Sequence, residues 1–101
     1  MSDDGFDAVE CGKGWASLYK PLIERCRAER VQIAQIKEKF GGLRFYVYQG
    51  SDALHDVIRL AEEKSFTICE VCGAPGVLRK DGGCLRTRCD AHVRSGIWEH
   101  Q

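Results

Sequence analysis

No long apolar run, no excess of one charge and no export signal occur in this chain, and each absence removes a class of function. The longest stretch free of Asp, Glu, Lys and Arg is Val71 to Leu78, whereas a membrane-spanning helix needs about 20 mostly apolar residues. Lys plus Arg is 15 and Asp plus Glu is 15, so overall charge gives no pull toward nucleic acid or an acidic membrane. Met1 to Gly5 is acidic and lacks the apolar segment of a secretory leader. A reducing cytoplasm is therefore the expected location, and the six cysteines are read as thiols and metal ligands rather than as three disulfides. No phosphate-cradling glycine loop is present, because Gly41-Gly42 and Gly82-Gly83 sit in hairpins and neither opens a helix after a strand.

What is present is a metal-ligand spacing. Cys69 and Cys72, then Cys89 and His92 after the sixteen residues 73 to 88, form a Cys-x2-Cys-x16-Cys-x2-His pattern, that of a structural zinc site. Zinc takes four ligands at tetrahedral corners, and two intervening residues let a tight turn or a first helical turn aim both side chains at one ion. Cys69-Glu70-Val71-Cys72-Gly73 reads as a knuckle, with Gly73 free to take positive φ. Val77 to Lys80 and Cys84 to Arg88 flank Asp81-Gly82-Gly83 and read as a short hairpin. Cys89 and His92, three residues apart, are expected on the first turn of a helix reaching Gly96. Knuckle, hairpin and helix together predict a treble-clef-like zinc module holding one structural Zn2+. Of the other cysteines, Cys26 is expected in a helical core and Cys11 and Cys84 as free thiols.

Ahead of the module the chain reads as helix, hairpin, helix, an α+β arrangement in a single small domain. Residues 1–13 are read as an acidic tail expected to be disordered, 14–67 as helix-hairpin-helix and 68–101 as the zinc module. Trp15, Leu18, Tyr19, Leu22, Ile23 and Cys26 recur at helical spacing over about residues 14 to 29, with a kink or break expected at Pro21. A second helix is expected from a cap at Ser51 or Asp52 to about Lys64, with Leu54, Val57, Ile58 and Ala61 inward and His55 beside that stripe. Val31 to Phe40 and Leu43 to Tyr48 are expected to pair through a Gly41-Gly42 turn, which would set Phe40 opposite Leu43 and Lys39 opposite Arg44. One face then holds Ala34, Ile36, Phe40, Leu43, Phe45 and Val47. The other carries Gln35, Lys37, Lys39, Arg44, Tyr46 and Tyr48, either a solvated face or a binding surface suited to an acidic protein patch or a nucleic-acid strand.

The run Gln35-Ile36-Lys37-Glu38-Lys39-Phe40-Gly41-Gly42-Leu43-Arg44-Phe45-Tyr46, with Ala61-Glu62, Cys69-Glu70-x-Cys72-Gly73-x-Pro75-Gly76 and Cys89-Asp90-x-His92, resembles small zinc-finger proteins of bacteriophages and prophages. The resemblance covers most of residues 14 to 92 and implies genomic context more than mechanism. Cys84 stands where similar sequences lead one to expect tryptophan, which makes its thiol a competing ligand to be considered.

The chemistry for catalysis is sparse. Treble-clef nucleases hold a metal between a strand-borne histidine and a helical one, but residues 73 to 88 contain no histidine. Four protein ligands close a zinc site to hydrolysis, and pairing Cys11 or Cys26 with His55 or His100 joins residues distant in sequence. The expectation is a non-enzymatic protein that binds and modulates a host protein, including one of a defence system. The alternative is a nucleic-acid-binding regulator using the basic hairpin, with Arg79, Lys80, Arg86 and Arg88 of the zinc hairpin. Neutral overall charge favours the first, since nonspecific nucleic-acid affinity is dominated by phosphate contacts.

Overall fold

The computed structural model describes residues 9–81 and 83–92 as an α+β fold with two helices and two small sheets. Strand β1 (Val9–Glu10) leads through a 3-10 turn at Lys13–Trp15 into helix α1 (Ala16–Ala28). Strands β2 (Ile33–Lys39) and β3 (Gly42–Val47) make the first hairpin, and helix α2 (Asp52–Lys64) runs into a 3-10 turn at Ser65–Thr67. Strands β4 (Val77–Asp81) and β5 (Cys84–Arg88) make the second hairpin, followed by a 3-10 turn at Asp90–His92. The helix expected to continue from there to Gly96 lies outside the described residues. β1 pairs in parallel with β2, giving the order β1-β2-β3. Residues 9–13, assigned from sequence to the acidic tail, are therefore part of the fold.

Helix α1 passes through Pro21 as one element rather than two. The amide that proline lacks would have bonded to the carbonyl of Ser17, and both residues face solvent, so water can satisfy the orphaned oxygen. The helix ends in a Schellman arrangement, with the Val31 amide donating to Cys26 O and the Arg30 amide to Arg27 O. Arg30, at φ 58°, occupies the left-handed position usually given to glycine. Helix α2 starts as the sequence predicts. Ser51 Oγ accepts the Leu54 amide at 3.1 Å, and Leu54 and Ile58 are buried with Val57 and Ala61 packed alongside.

The first hairpin departs from its predicted register by two residues. Lys39 pairs with Gly42, Glu38 with Leu43, Lys37 with Arg44, Ile36 with Phe45 and Gln35 with Tyr46. The turn residues are therefore Phe40 and Gly41, both at positive φ (55° and 84°), the pattern of a type I′ turn. A slip of two preserves which side chains share a face, so Ile36, Leu43, Phe45 and Val47 stay on one face and Lys37, Lys39, Arg44 and Tyr46 on the other. Phe40 does not: it sits in the turn and is 64% exposed. A register shift between Ile33 and Gln35 brings Ile33, rather than Ala34, opposite Val47. Gly42 instead opens β3 opposite Lys39, packed so closely that a Cβ on it would lie 2.4 Å from the Phe66 ring.

The inward face of this sheet supplies Ile36, Leu43 and Phe45 to one core with Trp15, Tyr19, Leu22, Ile23 and Cys26 of the α1 region and Leu54 and Ile58 of α2. β3 is an edge strand, yet its outward amides are closed off. Ser65 Oγ accepts from Leu43 N (2.9 Å) and Glu62 Oε2 from Phe45 N (2.9 Å). Among the described residues no helix is long and apolar enough to cross a membrane.

Candidate metal centre

Cys69, Cys72, Cys89 and His92 converge, their ligand atoms all lying within 4.8 Å of one another. Cys72 Sγ and Cys89 Sγ are 3.7 Å apart, Cys89 Sγ and His92 Nδ1 3.3 Å, and Cys69 Sγ and His92 Nδ1 3.7 Å. A zinc ion with bonds of about 2.3 Å to sulfur and 2.0 Å to nitrogen would set tetrahedral edges of about 3.5 to 3.8 Å. The group is compatible with one metal ion, bound through Nδ1 of the histidine. Cys84 is exposed and is not part of the group.

Local backbone chemistry builds the two halves. The knuckle closes through the Cys69 amide donating to Ala74 O (2.7 Å) and the Gly73 amide to Cys69 O (2.9 Å), with Gly73 at φ 85° as its sequence position predicts. On the other side Asp81 pairs with Cys84 and Val77 with Arg88, and the His92 amide donates to Cys89 O. The thiols are not equivalent. Burial pushes Cys69 up, but the amides of Cys89, Cys72 and Val71 and the Cys89 side chain outweigh it and bring it down to about 6. At Cys72 the Ala74 amide pulls downward, but desolvation and the sulfurs of Cys89 and Cys69 leave it raised. Clustered sulfurs resist sharing negative charge, and a divalent cation at their centre reverses that repulsion.

The knuckle is also where the N-terminal segment docks, which sequence reasoning missed. Gly14 N donates to Glu70 O (2.7 Å), Gly12 N to Glu70 Oε2 (3.0 Å) and Trp15 Nε1 to Ile68 O (2.8 Å). A Cβ on Gly14 would lie 2.1 Å from Cys69 O, and one on Gly12 2.3 Å from Glu70 O. The only local signal is the Gly-x-Gly-Trp spacing of Gly12 to Trp15, glycines at sites of backbone contact. Glu70 is buried, with Oε1 3.8 Å from Arg88 Nη2. The first hairpin turn docks on the second hairpin: Thr87 Oγ1 donates to Gly41 O at 2.7 Å, and Arg86 Nη1 lies 3.9 Å from Glu38 Oε1.

The remaining residues singled out from sequence fall elsewhere. Lys37, Lys39, Arg44 and Tyr46 share the outward face of the first sheet, with Tyr48 just beyond β3. Tyr46 and Tyr48 are 39% and 68% exposed. Lys37 pairs directly with Arg44, and its neighbour on the β1 side is Glu10. His55 is exposed and lines an open hollow with Arg30, Tyr48 and Ser51. Cys26 is buried in the core, and Cys11 is half-buried within the electrostatic reach of Glu70 and Glu38. Comparison with protein-family models, curated proteins and solved structures finds no match to this chain.

Proposed function

We propose that this is a non-enzymatic, zinc-stabilised interaction protein of a bacteriophage or prophage. In this reading it acts in the host cytoplasm by binding and modulating a host protein, with host defence systems among the targets. The Cys3His group holds one structural zinc in a treble-clef-like module, since three thiolates and an imidazole suit zinc and four protein ligands leave no open position for hydrolysis.

The observation that carries the binding role is the outward face of the first sheet. Lys37 and Arg44 stand directly opposite each other, a like-charge pairing that costs a few tenths of a kcal/mol or more. Among the described residues no carboxylate oxygen lies within 4.0 Å of Lys37, Lys39 or Arg44. An acidic partner would relieve that repulsion, and exposed Tyr46 and Tyr48 add the aromatic contacts common at interfaces. The second reading, a single-stranded nucleic acid stacked on the two tyrosines, rests on the same face.

The test is the double variant Lys37→Glu with Arg44→Glu. It should keep zinc content and thermal stability while losing a host protein that the wild type retains in affinity purification. Loss of a strongly salt-dependent oligonucleotide shift instead would select the nucleic-acid reading, and unchanged behaviour in both assays would reject this face as the binding surface.

A further inference from the structure

Phe40 is a bulky side chain in a place where folding alone would prefer glycine or asparagine. It holds φ 55° in the type I′ turn, a conformation that strains residues with large side chains, and its ring is 64% exposed instead of entering the core. Strain retained at an exposed aromatic is an observation that points toward function. The neighbours of the turn are apolar and exposed as well. Gly41 packs so tightly that a Cβ on it would meet Leu78 Cδ1 at 2.5 Å and the Leu85 carbonyl carbon at 3.1 Å. Leu78 and Leu85 are themselves 39% and 41% exposed. Gly41, the neighbour of Phe40 in the turn, thus rests on the face of the second hairpin that carries the two leucines. Of the described charges around the turn, Glu38 is engaged internally, its Oε2 accepting the Gly41 amide (2.8 Å) and its Oε1 lying 3.9 Å from Arg86 Nη1, which leaves two exposed lysines. Lys39 Nζ sits 5.5 Å from the Phe40 ring centre, and exposed Lys80 pairs with Leu85 on the face that carries Leu78.

We infer that Phe40, Leu78 and Leu85 form the apolar anchor site for an acidic amphipathic segment of a partner protein, with its carboxylates against Lys39 and Lys80. The inference rests on the interaction reading above and names the chemistry of the partner. Two cations flanking an apolar patch select an acidic chain with one or two large apolar side chains. They disfavour a second copy of this protein, which would bring like charges together. Zinc has an indirect part, since the second hairpin carries Leu78 and Leu85 and ends at the ligand Cys89.

The experiment selects a phage-displayed library of random 16-residue peptides against the zinc-loaded full chain. Selected peptides should be rich in Asp and Glu around Leu, Ile or Phe, and their binding should weaken at least tenfold on Phe40→Ala and on Lys39→Glu with Lys80→Glu. Phe40→Asn should lose binding equally while its Tm rises, because the turn is relieved; that combination separates function from structural damage. The inference is overturned by a selection that yields no binders, by peptides without acidic bias, or by peptides that bind Phe40→Ala as well as wild type. Concentration-dependent dimerisation abolished by Phe40→Ala would also overturn it, by assigning the patch to a self-interface. If Lys37→Glu with Arg44→Glu loses the captured host protein but Phe40→Ala keeps it, the anchor fails and the broader interaction reading stands. If neither variant loses that protein, both fail.

Discussion

Single side chains at the metal centre and beneath it have sharply different expected tolerances. Replacing Cys69, Cys72, Cys89 or His92 by Ala should release the metal. It should also unfold the second hairpin, because structural zinc contributes about 10 to 16 kcal/mol, as much as the whole stability of a small domain. Inductively coupled plasma analysis of metal with a thermal melt checks this, and Cys84→Ser, outside the group, should match wild type in both. The remaining thiols should separate by reactivity. Burial, then the charges of Glu70 and Glu38, push Cys11 up to about 12 from an ordinary 9.0. At pH 8 it should therefore present roughly a thousandfold less thiolate than an unperturbed cysteine. Timed iodoacetamide labelling with peptide mass spectrometry should find Cys84 modified early and Cys11 late. A raised folded-state pKa favours the neutral thiol, so Cys11 contributes stability below pH 9 that is lost as pH rises through about 12. In Cys11→Ser that alkaline component of the stability profile should be absent.

Elements are held in register by side chains that sequence patterns do not advertise. The β3 edge is sealed by Ser65 and Glu62, so Ser65→Ala should leave the buried Leu43 amide unpaired at a cost of about 1 to 3 kcal/mol. In a domain of this size that is a drop of several degrees or more in Tm. Glu63→Ala, one position from Glu62 and exposed, should stay within about 0.5 kcal/mol of wild type in the same denaturant titration. Helix α2 was fully legible because its determinants are local: Ser51 caps it and the apolar spacing places Leu54 and Ile58. The convergence of Cys69, Cys72, Cys89 and His92 was legible for the same kind of reason, since the two pairs carry their spacing in the sequence. The first hairpin was only half legible. Its alternation fixed the faces, but two adjacent glycines allow two turns, and the choice falls to contacts of Gly42 with Phe66 and of Gly41 with Leu78. Those partners lie 24 and 37 positions away in the chain and leave no trace near the turn. The role of Glu62 leaves no local trace either, because its partner, the Phe45 amide, lies in another element. The docking of Gly12 and Gly14 on the knuckle was illegible too, since glycine spacing does not say what approaches.

At the scale of the molecule the knuckle joins the two halves of the fold, so metal loss should be felt well beyond the ligands. Adding a strong chelator under mild denaturant should loosen Gly12 to Trp15 together with the second hairpin. In a Trp98→Phe background the emission of Trp15, fully buried with its indole N–H on Ile68 O, should shift to the red. Emission that stays blue after complete metal removal would mean that the core holds the tryptophan without the knuckle. The Trp15 to Ile68 bond spans 53 positions, and the knuckle it closes on brings Cys69 and Cys72 to Cys89 and His92. A ribosome that has made Trp15 still has residues 16 to 92 to make before His92 is in place, at about 5 to 20 residues per second. The segment that docks on the knuckle therefore waits several seconds for the second half of the Cys/His group to be made. A nascent chain halted before Ile68 would leave the indole N–H without its carbonyl partner, and one halted before Cys89 would hold that partner on a knuckle still lacking half of its Cys/His group.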